Sequence, residues 1–158
     1  MKTSPLQRVE HFVQQYDPAL VPLIFPEPMK TSESAADALG VEVGQIAKSI
    51  LFRAQDQYAM IVAAGDVRIH AKQIKAVFQG AKGRMASPDE VEAVTGFQVG
   101  AVCPFALLQE VPVFVDASLQ RFDVVYTAAG IAEALLAVSF QQLLDITGAK
   151  VIDAASAE

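Results

Sequence analysis

Two segments of the chain carry residues whose types and spacing could do chemistry. Lys48 interrupts the apolar run Ile46-Ala47-Lys48-Ser49-Ile50-Leu51-Phe52. In a strand, alternation puts Lys48 on the face of Ile46, Ile50 and Phe52. If that face is buried, the ammonium needs an anionic or polar partner, because an unpaired buried charge is costly. A pocket floor that binds a phosphate or carboxylate would supply one. If the face meets solvent, the lysine simply snorkels to water, and with both faces largely apolar the pattern leaves the two readings level. The second segment, Gly96-Phe97-Gln98-Val99-Gly100-Ala101-Val102-Cys103-Pro104, lacks the Lys-Ser/Thr ending of a phosphate-binding P-loop. Gly100 lets a ligand approach the backbone closely, and Pro104 fixes the end of the loop. Such a loop can aim N–H groups at a developing oxyanion without a side-chain nucleophile. An ordinary turn accounts for the same spacing.

The remaining reactive side chains offer less. Cys103 with His70 as base would make a thiol hydrolase, but a lone Cys between Val102 and Pro104 reads as a packed, inert residue. His70, beside Lys72 and Lys75, is expected at the surface, and His11 on an amphipathic first helix has no catalytic role. Asp66, directly after a strand, and Asp116, in Val115-Asp116-Ala117-Ser118, fit turn chemistry. Either could alternatively orient a substrate hydroxyl. No HExxH, no Cys/His pairing and no GxGxxG points to a metal or a cofactor, and none is expected.

Charge adds a location. The 158 residues carry 12 Lys+Arg against 18 Asp+Glu, a net charge of -6, which argues against a general nucleic-acid coat, a DNA-binding protein or a polybasic membrane binder. Between Lys48 and Arg84, however, stand seven basic and two acidic residues. Within that segment Arg68, Lys72, Lys75, Lys82 and Arg84 form the footprint expected for local phosphate contacts, or else a solvated face.

These residues must be positioned by elements that the same sequence predicts. Ser4-Pro5, Ser87-Pro88 and Ser139-Phe140 each open a helix with a capping residue and a Gln or Glu three positions on. Gly96 and Gly148 end the last two. Shorter helices are predicted over Ser32–Leu39, stopped at Gly40, and over Ala71–Phe78, stopped at Gly80. Strand-like runs lie at Val21–Phe25, Ile46–Arg53, Tyr58–Ala63, Val111–Val115 and Val124–Thr127, the second and third joined as a hairpin through 54–57. Strands and helices intermix without a regular βαβ rhythm, which predicts an α+β domain with a mixed or barrel-like sheet. Residues 1–158 read as one domain with a small-residue tail from Ala154. The start lacks a signal peptide's apolar core, no run approaches the ~18 apolar residues of a membrane span, and a lone Cys fits a cytoplasmic protein.

Taken in order, Thr31-Ser32-Glu33-Ser34-Ala35-Ala36 with Leu39-Gly40, Gly44-Gln45-Ile46-Ala47-Lys48-Ser49, Gly65-Asp66, Gly96 to Phe105, Val115 to Ser118 and Tyr126 to Gly130 resemble the YbaK-type aminoacyl-tRNA deacylases. These are free-standing relatives of the editing domain inserted in bacterial prolyl-tRNA synthetases. The resemblance implies a curved, barrel-like mixed sheet with surrounding helices and a pocket for the aminoacylated 3′ end of tRNA. It implies that Lys48 engages the terminal adenosine or its phosphate, and that the Gly100 to Pro104 backbone contacts the ester and the terminal ribose. Thr31, Ser32, Ser49, Gly65, Asp66, Ala101, Val102, Cys103 and Asp116 are implied to border the substrate. Hydrolysis by positioned water, with tRNA(Pro) as the acceptor and prolyl-tRNA synthetase as a further partner, follows from the same likeness. A tRNA- or synthetase-binding module of that fold without hydrolysis is the alternative. Thr31 to Ser34 departs from the aromatic-acidic stretch of the cysteinyl-tRNA deacylases, in a segment expected to border the side-chain pocket.

Overall fold

Local sequence chemistry starts each helix. In the computed structural model, which describes residues 4–153, α1 (Pro5–Gln14), α2 (Ser32–Leu39), α4 (Pro88–Thr95) and α5 (Phe140–Thr147) all begin with capping boxes. Their cap residues are Ser4, Thr31, Ser87 and Ser139. Each such cap satisfies orphan N–H groups and is worth ~1 kcal/mol. Gly40, Gly96 and Gly148 end α2, α4 and α5 in the left-handed conformation. α3 covers Ala71–Val77. The tail at 154–158 lies outside the described residues.

The expected mixed sheet is present as eight strands: β1 (Leu23–Ile24), β2 (Ile46–Ala54), β3 (Gln57–Ala64), β4 (Arg84–Met85), β5 (Val113–Asp116), β6 (Val125–Ala128), β7 (Ala134–Val138) and β8 (Lys150–Ile152). It is an open sheet in the order β1-β7-β6-β2-β3-β5-β8, with β4 also paired to β2. Several boundaries moved for physical reasons. Pro22 and Pro26 flank β1 and hold it to two residues, and Pro112 delays β5 to Val113, since proline donates nothing to a ladder. The hairpin turn is only Gln55-Asp56, because Ala54 already pairs with Gln57 and Gln55 adopts a φ of 56°. β7 was not expected: its Ala- and Leu-rich sequence has no β-branched residue before Val138, and its pairing with β6 and β1 makes it a strand.

The two faces of β2 and β3 belong to different layers. Ala47, Leu51, Met60, Val62 and Ala64 pack with Val9 and Val13 of α1, Val91 and Val94 of α4, Leu143 and Ile146 of α5, and Phe97 and Phe105 of the intervening loop. The opposite face is covered in two patches. Ile46 packs with Ala35 and Ala36 of α2, while Phe52, Ala59 and Ile61 pack with Phe78 just beyond α3, joined by Ile50 and Ile74. Lys48 therefore emerges between the patch under α2 and the patch under α3.

Candidate active site

The strand that carries Lys48 has a break in its hydrogen-bonded neighbours. β3 pairs with β2 from Ala47↔Ala64 to Ala54↔Gln57, and the Gly65 N–H donates to the Ile46 carbonyl at 2.8 Å. Bonded residues alternate along an antiparallel ladder, so Ile46, Lys48, Ile50 and Phe52 direct their main-chain groups to β3. Ala47, Ser49, Leu51 and Arg53 direct theirs to the opposite edge. On that edge β6 pairs at Ile46 and Ala47, β4 pairs at Phe52 and Arg53, and the Ala86 N–H reaches the Leu51 carbonyl at 2.9 Å. Ser49 falls between the two neighbours, and a cavity of about 510 Å³ opens there.

The cavity walls come from both faces of the sheet. From the α2 side come Met29, Lys30, Thr31, Ser32, Ala35 and Ile46. From the other come Ser49, Leu51, Val99, Gly100 and Val102, with Met85 of β4 at the rim. Lys48 lines it, is exposed, and has no acidic partner among the described residues. The structure thus resolves the ambiguity of the apolar run: Lys48 stands on a face that is covered on either side of it but open at the residue itself.

The Gly100 loop is exposed in the middle and anchored at both feet. Phe97 and Phe105 are fully buried. Thr95 Oγ1 donates to the Val91 carbonyl at 2.6 Å and accepts from the Phe97 N–H at 3.0 Å. From α1, Arg8 donates to the Ala106 carbonyl at 3.0 Å and the Thr95 carbonyl at 2.9 Å, and lies over the Phe97 ring. Between these anchors Gly100 has a φ of 93°, which favours glycine. The Ala101 N–H is taken by the Gln98 carbonyl. The N–H groups of Gly100 and Val102 have no acceptor among the described residues. Two free N–H groups on a held loop at a cavity wall are the components of an oxyanion site.

Lys48, Ser49, Thr31, Ser32, Gly100 and Val102 are brought together around this cavity, while Gly65, Asp66, Ala101, Cys103, Pro104 and Asp116 lie outside its lining. Several of these outer residues support the wall. A Cβ on Gly65 would meet Ser32 at 2.8 Å and the Val43 carbonyl at 2.7 Å, so its lack of a side chain lets α2 seat against β3. Asp66 forms a bidentate pair with Arg121 at 2.7 and 3.1 Å, which holds its carboxyl below the usual range. Asp116 is buried and accepts from the Ser118 N–H at 3.0 Å, capping the turn after β5. Cys103 is fully buried, its thiol pushed up to about 12 by that burial. A thiol in that state is neither ionised at neutral pH nor reachable, which removes the chemical basis of a Cys103 nucleophile.

Of the basic cluster, Arg68, Lys72, Lys75 and Lys82 are exposed and form no ion pair among the described residues. Arg84 differs: it donates to Glu90 at 2.9 and 3.2 Å. Glu90 also accepts from Arg53 and from the Ser87 N–H at 2.8 Å. Sequence reasoning did not find Lys30, Met29, Met85 or Val99 as cavity residues. Lys30 is the one with a readable signal, a cation directly before the Thr31 cap. A second cavity, of about 650 Å³ near Tyr58, Phe78, Phe114 and Lys150, contains none of the candidate residues.

Known proteins of similar sequence and fold place the chain in a family. The sequence profile of the aminoacyl-tRNA editing domain family matches residues 26–146. The chain is 42% identical to the uncharacterized protein YwhH of Bacillus subtilis over 122 residues, 77% of each chain. It is 32% identical over 79 residues to the proline–tRNA ligase of Thermotoga maritima, covering 50% of this chain and 14% of that one. The crystal structure of a candidate trans-editing enzyme for prolyl tRNA synthetase superposes with a TM-score of 0.90 at 29% identity, over 99% of each chain.

Proposed function

The chain belongs to the aminoacyl-tRNA editing domain family, and from that premise we propose that it is a trans-acting hydrolase, a single editing domain that deacylates mischarged tRNA, with tRNA(Pro) as its acceptor. The observation that carries this reading is the convergence of an unpaired Lys48 and a loop with free N–H groups on one cavity. In the proposed complex Lys48 holds the terminal phosphate or adenosine on the α2 side of β2. The ester carbonyl lies against Gly100 and Val102 on the other side. A water oxygen bonds to the acyl carbon, the loop N–H groups stabilise the oxyanion, and the bond to the ribose oxygen breaks. That oxygen takes up a proton derived from the water and leaves as the free hydroxyl. Each oxyanion donor is worth ~10² to 10³ in rate, and fixed orientation adds to it.

Arg68, Lys72, Lys75 and Lys82 supply the proposed contacts to the tRNA backbone, since α3 and its neighbours cover the same sheet face as Lys48. Arg84 serves the Glu90 cluster instead. Prolyl-tRNA synthetase, as the source of the mischarged product, is the proposed partner enzyme. Editing of this kind answers a physical limit, because a synthetase pocket separates small apolar side chains by only ~1–3 kcal/mol. The test is a deacylation panel: tRNA(Pro) charged with Ala, Ser, Cys or 2-aminobutyrate, plus Ser- and Thr-charged tRNAs, with release of free amino acid measured. Turnover of at least one is expected. Tight binding with no turnover across the panel would instead identify a binding module.

A further inference from the structure

Ser49 Oγ is buried and, among the described residues, is a buried side-chain oxygen without a hydrogen-bond partner. A hydroxyl left so costs free energy unless something pairs with it. Its position is not sealed in the core. Ser49 lines the cavity at the point where the edge of β2 has lost β6 and not yet met β4. Alternation places Ser49 on the Ala47 and Leu51 face, where Val102 of the Gly100 loop also packs, and Lys48 on the opposite one.

We infer that Ser49 is the acceptor for the α-amino group of the bound aminoacyl ester, and thereby determines that the site takes aminoacyl rather than simple acyl groups. This rests on the deacylase reading above. The cavity lining contains Lys30 and Lys48 but no Asp or Glu, so an ammonium bound there must be met by neutral oxygens. Among the hydroxyls of the lining, Thr31 Oγ1 is engaged with Ser34 in the cap of α2, and Ser32 stands on the side of the strand that Lys48 occupies. The amine is only two bonds from the ester carbonyl carbon, so its acceptor must share the face of the Gly100 loop. Ser49 meets that condition with its unpaired hydroxyl, and its main-chain groups face the same gap.

The test compares tRNA esters of the amino acid selected by the deacylation panel with the matching ester that lacks the amine: alanyl with propionyl, seryl with 3-hydroxypropionyl, and so on. Wild type is expected to prefer the aminoacyl ester, and Ser49→Ala to reduce that preference in kcat/KM by about tenfold or more, the range of a hydrogen bond to a charged group. Ser49→Thr, which keeps a hydroxyl, should retain more of the preference than Ser49→Ala. Because the hydroxyl has no partner in the free protein, the melting temperature of Ser49→Ala should equal or exceed that of wild type. Equal turnover of both esters by wild type, an unchanged preference in Ser49→Ala, or a large fall in its melting temperature would each overturn the inference. Absence of turnover of every ester by wild type is a different result, the failure of the deacylase reading itself.

Discussion

Cys103 shows how residue identity and residue environment divide the work. As a letter beside Gly100 and Pro104 it invites a nucleophile, and as an atom it is buried with its thiol pushed up to about 12. Cys103→Ala is therefore expected to leave deacylation within about twofold of wild type while lowering stability by ~1 kcal/mol, the cost of a small cavity. Rate measurement with thermal unfolding checks both, and a dead but folded variant would restore the thiol mechanism. Lys48 was legible as a chemical candidate because it breaks an apolar run. Whether its face was covered was not legible, since that depends on where α2 and α3 pack over the sheet. Ser49 entered only through the family resemblance. Its significance lies in an unpaired oxygen and an interrupted strand edge, and neither is a property of local sequence.

At the scale of elements, helix starts were written plainly. The span Ser32–Leu39 with its stop at Gly40 matches α2 residue for residue, and the Ser4, Ser87 and Ser139 caps stand where expected. The short strands β4, β7 and β8 were not expected: β4 and β8 have only two and three residues, β7 is Ala- and Leu-rich, and pairing with a neighbour makes each a strand. The cavity depends on such contacts. Gly65→Ala would push a Cβ against Ser32 and the Val43 carbonyl, so a loss of ~1–3 kcal/mol and a lower kcat/KM are expected together. Chemical denaturation and deacylation kinetics measure the two, and a variant neutral in both would deny that this approach seats α2. The Glu90 cluster ties β2, β4 and α4 together. Its carboxyl is held strongly down by Arg84, the Ser87 N–H and Arg53, as that of Asp66 is by Arg121. Both folded-state values are depressed, so their stabilisation is fully present above the ordinary carboxylate range and is lost as pH falls through the folded values. Melting temperature should therefore fall on acidification below about pH 4, and Glu90→Gln should weaken that dependence. An acid profile identical to wild type would count against the cluster.

For the molecule as a whole, the net charge of -6 conceals a division of labour. Arg53 and Arg84 in the basic segment are committed to Glu90, which leaves Lys48, Arg68, Lys72, Lys75 and Lys82 without acidic partners among the described residues. A protein that grips only the end of one tRNA needs no more than that. At subsaturating tRNA, log kcat/KM should decline with log salt, and charge removal at Lys72 and Lys75 together should reduce the slope by roughly one to two. A salt-independent rate would make the cluster a solvated face.

Whether Lys48 and the Gly100 loop form one hydrolytic site is decided by running the deacylation panel with wild type and Lys48→Ala side by side. Lys48 is exposed and forms no ion pair among the described residues, so the variant should fold with an unchanged melting temperature. Wild type should release the amino acid from at least one mischarged tRNA, and Lys48→Ala should be slower by about 10²-fold or more, as expected when a group that holds the reacting ester in place is lost. Full activity in a folded Lys48→Ala protein would mean that Lys48 has no part in hydrolysis.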